Sequence, residues 1–220
     1  GSDNDLGTLK QPFKTINKAI SVSKEGDGIF VRGGTYNLLT YDDRIQMTKN
    51  NLILTNYQNE PVLIKSAGSR YGFILTGDNI IVDGFNLDGF ASAVSFGKTS
   101  IQKNLIIKNI KVQNSGEGFV GSYDGSTTIL KGALFKNIEL IKPDTSGYVI
   151  GLHCGGPPCE DIRITKANID LTGSVGGGSG ADGIAMETGN NILIEDSVVT
   201  GASADGIDLK ASKVAVVNTI

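Results

Sequence analysis

Ala181-Asp182-Gly183-Ile184-Ala185-Met186-Glu187, followed by Asn191-Ile192-Leu193-Ile194, is repeated almost at once as Ala204-Asp205-Gly206-Ile207-Asp208-Leu209-Lys210, followed by Lys213-Val214-Ala215-Val216. The two Asp-Gly boxes lie 23 residues apart and the two aliphatic bursts 22. Repetition at such a period is the sequence mark of a solenoid, in which equal positions of stacked repeats become neighbours in space. Asp182 is therefore predicted about 5 Å from Asp205, the spacing of hydrogen-bonded strands. Two carboxylates that close need a cation or a proton between them.

The same aliphatic burst recurs upstream, at Leu52-Ile53-Leu54, Ile80-Ile81-Val82, Leu105-Ile106-Ile107, Ala133-Leu134-Phe135 and Ile162-Arg163-Ile164. From Leu52 to Val214 the starts step by 28, 25, 28, 29, 30 and 22 residues, the range of a solenoid coil. A second class of short strand lies between the bursts: Gly72-Phe73-Ile74-Leu75, Gly118-Phe119-Val120, Tyr148-Val149-Ile150, Gly183-Ile184 and Gly206-Ile207. Three short strands per coil with alternating inward and outward residues describe an all-β parallel β-helix. Leucine-rich repeats would need a tighter leucine pattern, and propellers would need antiparallel hairpins. Asn51, Asn79, Asn104 and Asn191 head their bursts and read as turn residues stacked in a ladder, since Asn tolerates the left-handed conformation and bonds its neighbours.

Ahead of the coils, Phe13, Ile16, Ala19 and Ile20 recur at helical spacing after Pro12. This one helix, within a cap over about residues 8–25, has the job of covering the open apolar end of the solenoid. The whole of 1–220 reads as a single β-helix domain. At the other end the final burst runs to Ile220 without a capping helix, which implies further coils or end-to-end packing on a partner. The irregular stretches, Val112 to Lys131, Ile141 to Tyr148 and Thr172 to Gly180, are loops placed to wall a binding face.

Composition agrees with many short strands and tight turns: 30 glycines, five prolines and no tryptophan. The net charge of −3 gives no electrostatic case for nucleic acid or an anionic membrane surface. No run approaches the roughly 20 apolar residues of a membrane span, and Gly1-Ser2-Asp3-Asn4-Asp5 has no signal-peptide character. Cys154 and Cys159, separated by Gly-Gly-Pro-Pro, are spaced for a small disulfide loop or stand as two buried thiols. A zinc site lacks ligands, because only His153 lies nearby.

In register, Asp182 falls opposite Asp205, Ala185 opposite Asp208 and Glu187 opposite Lys210. A bend at Gly206 would let Asp182, Asp205 and Asp208 present three carboxylates to one hard cation, and calcium suits that inventory. The competing reading has these aspartates bonding turn amides. Lys210 and Glu187 are also placed to form a surface ion pair across coils. Tyr57, Tyr71, Tyr123 and Tyr148 are candidates to stack on sugar rings, and the sole histidine, His153, is a candidate acid, base or substrate contact.

Two segments carry a resemblance. Gly7-Thr8-Leu9-Lys10-Gln11-Pro12-Phe13-Lys14-Thr15-Ile16-Asn17-Lys18-Ala19, with Gly26-Asp27-Gly28-Ile29-Phe30-Val31-Arg32-Gly33-Gly34-Thr35-Tyr36, is similar to the opening of secreted right-handed parallel β-helix proteins of the family 9 polysaccharide lyases. Ala204-Asp205-Gly206-Ile207-Asp208-Leu209-Lys210 resembles the Asp-Gly calcium segment of pectate lyases in that family. The resemblance implies a right-handed coil, a secreted or cell-surface protein, and calcium-dependent β-elimination on an acidic, polygalacturonate-like polysaccharide. Carried over to this chain, Asp182, Asp205 and Asp208 are the calcium ligands and Lys210 is the candidate base, with Lys213 the fallback. A lysine does that work only if nearby cations lower its pKa. A non-catalytic carbohydrate-binding β-helix and an inverting glycoside hydrolase with paired carboxylates are the alternatives.

Overall fold

The computed structural model describes residues 1–97, 100–121, 129–141, 149–155, 158–174 and 180–220. Its strands form two sheets in which every pairing is parallel and joins a strand to its counterpart one coil away. The chain is the β-helix that its periodicity predicts. Stacking continues to the last coil, where Ile192 pairs with Val214 and Ile184 with Ile207.

The three predicted strand classes collapse to two sheets. In the middle coils the aliphatic burst and the segment after it fuse into twelve-residue strands, Gln102–Gln113, Leu130–Ile141 and Cys159–Asp170. Within each, the burst and the segment after it meet at a residue of positive φ, namely Asn109 (54°), Asn137 (51°) and Lys166 (56°), so a corner is turned without interrupting the ladder on either side. Asn109 Nδ2 donates to Asp83 Oδ1 at 2.7 Å, and Asn137 Nδ2 donates to Asn109 Oδ1 at 2.7 Å.

A second corner carries the predicted asparagine ladder. Asn51, Asn79, Asn104 and Asn191 all have φ between 55° and 59°, and they share their register with Gly132, Asp161 and Lys213, also of positive φ. Asn79 Nδ2 donates to Asn51 Oδ1 at 2.8 Å, and Asn104 Nδ2 to Asn79 Oδ1 at 2.7 Å. Asn191 Nδ2 donates to Asp161 Oδ1 at 2.6 Å. Asparagine suits the position because its short amide tolerates the left-handed region and also supplies both a donor and an acceptor along the stack.

The second sheet runs Ile45–Met47, Tyr71–Leu75, Ser92–Phe96, Glu117–Gly121, Val149–Cys154, Ala181–Met186 and Ile207–Leu209. Its inward residues, among them Phe73, Val94, Phe119, Leu152 and Ile184, are fully buried in one continuous core with the bursts of the first sheet. The core is knitted by ring contacts such as Phe73 with Phe85 at 5.5 Å and Phe96 with Phe135 at 5.6 Å.

The capping helix is shorter than the apolar spacing implies. It spans Ile16–Val22, and Thr15 is its N-cap, with Oγ1 accepting from Lys18 N at 3.1 Å. Pro12 and Phe13 stay outside because Thr15 makes the better start, its own N–H and hydroxyl being taken by the Asp3 carboxylate. Ile16 and Ile20 are the helix's buried residues, and Lys49 Nζ donates to the carbonyls of Ile20, Ser21 and Ser23, fastening the far end.

Gly183 and Gly206 occupy the same position of the two repeats, yet their surroundings differ. A Cβ on Gly183 would lie 2.2 Å from Val199 Cγ1 and 2.4 Å from Gly206 O, whereas Gly206 has only Val199 Cγ1, at 4.0 Å. Gly183→Ala is expected to destabilise the fold by about 1–3 kcal/mol, and Gly206→Ala to leave it nearly unchanged. Urea unfolding midpoints of the two variants check this, and equal losses would refute the packing argument.

Candidate functional site

The Asp-Gly boxes sit at the start of strands of the second sheet, and parallel pairing fixes what surrounds them. Tyr71, Ser92, Glu117, Ile150 and Asp182 share one register position, followed at the next by Gly72, Ala93, Gly118, Gly151 and Gly183. The glycine of the box therefore belongs to a column of small residues where the corner is tight. A Cβ on Gly118 or Gly151 would come within 2.4 Å of the carbonyl oxygen one coil on. The aspartate before it belongs to a column that is polar at Tyr71, Ser92, Glu117 and Asp182, in which Ser92 Oγ donates to Glu117 Oε2.

Asp182 and Asp205 do fall on adjacent rungs: Gly183 N donates to Asp205 O at 3.0 Å, and Asp205 N donates to Asp182 Oδ1 at 3.1 Å. One Asp182 oxygen is thus spent on a turn amide, as the competing reading of the sequence has it. Asp208 pairs in register with Ala185, and Ala185 with His153. Asp208 turns its carboxylate to Lys210, with Oδ2 2.8 Å from Nζ. That bond, together with the charge of Asp208 and the further charges of Glu187 and Asp182, holds Lys210 above the ordinary lysine range. A proton-abstracting lysine needs the opposite shift. Lys213 stands apart from these carboxylates in sequence register, on the last step of the asparagine ladder.

His153 lies on the same column as Asp208, its ring so close to Gly155 that a Cβ there would lie 2.3 Å from Cε1. Its Nε2 is 3.6 Å from Glu187 Oε1, beyond a hydrogen bond, and has no other partner among the described residues. Cys154 and Cys159 are bridged and buried, next to His153 in sequence. Tyr123 and Tyr148 lie outside the described residues, as do large parts of the three loops expected to wall a binding face.

Asp182, Asp205 and Asp208 are oxygen donors only, the chemistry a hard cation such as calcium takes. Their donor types fit, but they are not drawn together: among the described residues no three His, Cys, Asp or Glu side chains converge on one point. Asp208 is instead neutralised by Lys210. The sequence reading missed Glu117, and a signal for it exists, since it precedes the small residue of its coil just as Asp182 precedes Gly183.

Comparison with known proteins accords with this architecture. A family described as "Pel9A-like, right handed beta helix region" matches residues 1–157. The chain belongs to the Pel9A-like right-handed β-helix family. A curated pectate lyase, PEL9 of Emericella nidulans, is 36% identical over 69 residues, covering 29% of this chain and 16% of its own length. Among solved structures, a rhamnogalacturonan lyase aligns with 97% of this chain and 60% of its own at a TM-score of 0.62 and 16% identity. Pectate lyase Pel9A aligns with 94% of this chain and 63% of its own at a TM-score of 0.51 and 17% identity. The Pel9A-like chain therefore spans less than two thirds of these relatives. At such identities the structures establish a shared fold.

The Asp208–Lys210 pair yields a pH prediction. A lysine pKa raised on folding stabilises the protein below the ordinary lysine range, and the contribution is lost as pH climbs through the raised value. The pair is at the surface, so the stability term is small, and the titration itself is the better readout. Asp208→Asn is expected to lower the Lys210 midpoint, followed by the Cε resonance in a lysine-labelled sample; an unmoved midpoint would break the assignment.

Proposed function

We propose that the chain is the β-helix of a calcium-dependent polysaccharide lyase, acting by β-elimination on a uronate-containing, polygalacturonate-like polymer. The observation that carries the reading is the adjacent-rung pair Asp182 and Asp205 beside Asp208 and Lys210, in a chain of the Pel9A-like family. A secreted or cell-surface setting fits the Cys154–Cys159 bridge; among the described residues no helix is long and apolar enough to cross a membrane.

In β-elimination the proton on C5 is removed, the electrons form the C4–C5 double bond, and the C4–O bond to the next sugar breaks. Calcium bound to Asp182, Asp205 and Asp208 would neutralise the uronate carboxylate and so acidify that proton. Asp208 has two roles in this scheme. Turned toward Lys210 it keeps the ammonium protonated; turned toward a cation it leaves Lys210 without its counter-ion and beside positive charge, which lowers the lysine pKa toward that of a base. The Asp208–Lys210 pairing also favours a second reading, a carbohydrate-binding β-helix without catalysis, because a lysine held protonated abstracts nothing.

Calorimetry with calcium on the wild type, Asp182→Ala and Asp205→Ala, with polygalacturonate absorbance followed in the same samples, separates these readings. The expected result is calcium binding lost in both variants, with wild-type growth of the ultraviolet band of an unsaturated uronate. Polymer retention without that band would favour the binding module, new reducing ends without it a hydrolase, and absence of calcium binding would overturn the aspartate assignment.

A further inference from the structure

The polar column that ends in Asp182 and Asp205 begins, four rungs before Asp182, at Tyr71. At the spacing of hydrogen-bonded strands Tyr71 and Asp182 are about 19 Å apart. Around Tyr71 the surroundings turn aromatic and carry two guanidiniums, Arg44 and Arg70, the first of them paired with Asp42. Tyr41 meets Tyr71 edge to face, with ring centroids 5.9 Å apart and planes at 72°. Each ring carries a guanidinium: Arg44 lies 4.0 Å from the Tyr41 centroid and Arg70 lies 5.6 Å from that of Tyr71.

The two arginines are used differently. Arg44 is mostly buried, its Nη1 donating to Tyr41 O at 2.8 Å and contacting Asp42. It is a brace that fixes Tyr41 from one side. Tyr41 nonetheless stays 48% exposed, more than a ring kept for packing needs. Arg70 is exposed and has no carboxylate partner among the described residues, in a chain whose net charge is −3. An exposed guanidinium held against an aromatic pair has its bidentate donors to offer, and their geometric match is a carboxylate.

We propose that Tyr41, Tyr71 and Arg70 form a second saccharide subsite on this exterior, one that binds a carboxylated sugar without a metal ion: the ring pair supplies an amphipathic platform and Arg70 takes the carboxylate. One guanidinium beside two rings suits a single uronate and makes no track for a phosphate backbone. The inference rests on the reading of this exterior as the polysaccharide-facing side. With it, one polymer meets opposite devices at its two contacts, a fixed cation at the amino-terminal rungs and carboxylates that require a cation at the carboxy-terminal ones.

The test is affinity electrophoresis in gels containing polygalacturonate and EDTA, on the wild type, Arg70→Glu, Tyr41→Ala and Lys136→Glu. The last changes charge equally at an exposed residue of the other sheet. The wild type is expected to be retarded in EDTA, and uncharged galactan is not expected to retard it. Arg70→Glu should weaken retention about tenfold, the worth of one charge-assisted hydrogen bond, Tyr41→Ala should weaken it too, and Lys136→Glu should leave it unchanged. Equal effects of Arg70→Glu and Lys136→Glu would overturn the subsite, as would retention that vanishes entirely in EDTA. If the subsite fails while calcium-dependent absorbance persists, the lyase reading stands; if polymer is retained neither in EDTA nor in calcium, the polysaccharide-facing reading falls with it.

Discussion

Everything in this molecule depends on a backbone that turns its corners at the same place in every coil. The turn requires positive φ, which costs an ordinary residue about 1–2 kcal/mol, and the chain meets it with Asn at Asn51, Asn79, Asn104, Asn109, Asn137 and Asn191. The asparagines then bond to the residue one rung away, so the groups that make the corner possible also lock each coil to its neighbour. Register follows, and with it the placement of the core phenylalanines, the column of small residues and the carboxylates on the outside. A slip of one residue would send the inward set outward.

The surface chemistry is a by-product of the same register. Stacking two Asp-Gly boxes places carboxylates one rung apart, and the repulsion has to be absorbed. Two local solutions are visible: Asp182 accepts from the Asp205 amide, and Asp208 accepts from Lys210. Both are partial. Each leaves carboxylate oxygen on an exterior that already carries Glu117 and Glu187.

The fold was legible because solenoid order is written in spacing. Bursts stepping by 22 to 30 residues and asparagines at their heads are signals of the coil itself, independent of loop content. The start of the helix was less legible: Pro12 offered a plausible first turn, and the preference for Thr15 depended on Asp3, twelve residues earlier, reaching back to it. At the site, the pairing of Asp182 with Asp205 could be read directly from the repeat. The partner of Asp208 could not, because Lys210 follows directly after the Ile207–Leu209 strand and its side chain was free to choose among three carboxylates. Glu117 escaped notice for a different reason, since its coil lacks the aspartate that made the later boxes conspicuous. Spacing left the cysteines open, and only the path of the chain from Val149–Cys154 into Cys159–Asp170 brings their sulfurs together.

The corners fix where each coil bends but not how long it is. Coils of 22 and of 30 residues stack in the same register, so length is absorbed entirely between the sheets. Such a body separates two kinds of inheritance. Within a strand such as Gln102–Gln113 a single deletion would derange every contact above and below it, while the spacing from one burst to the next changes from coil to coil. Lineages that share this architecture are thereby free to exchange what they grip while keeping what they are built on.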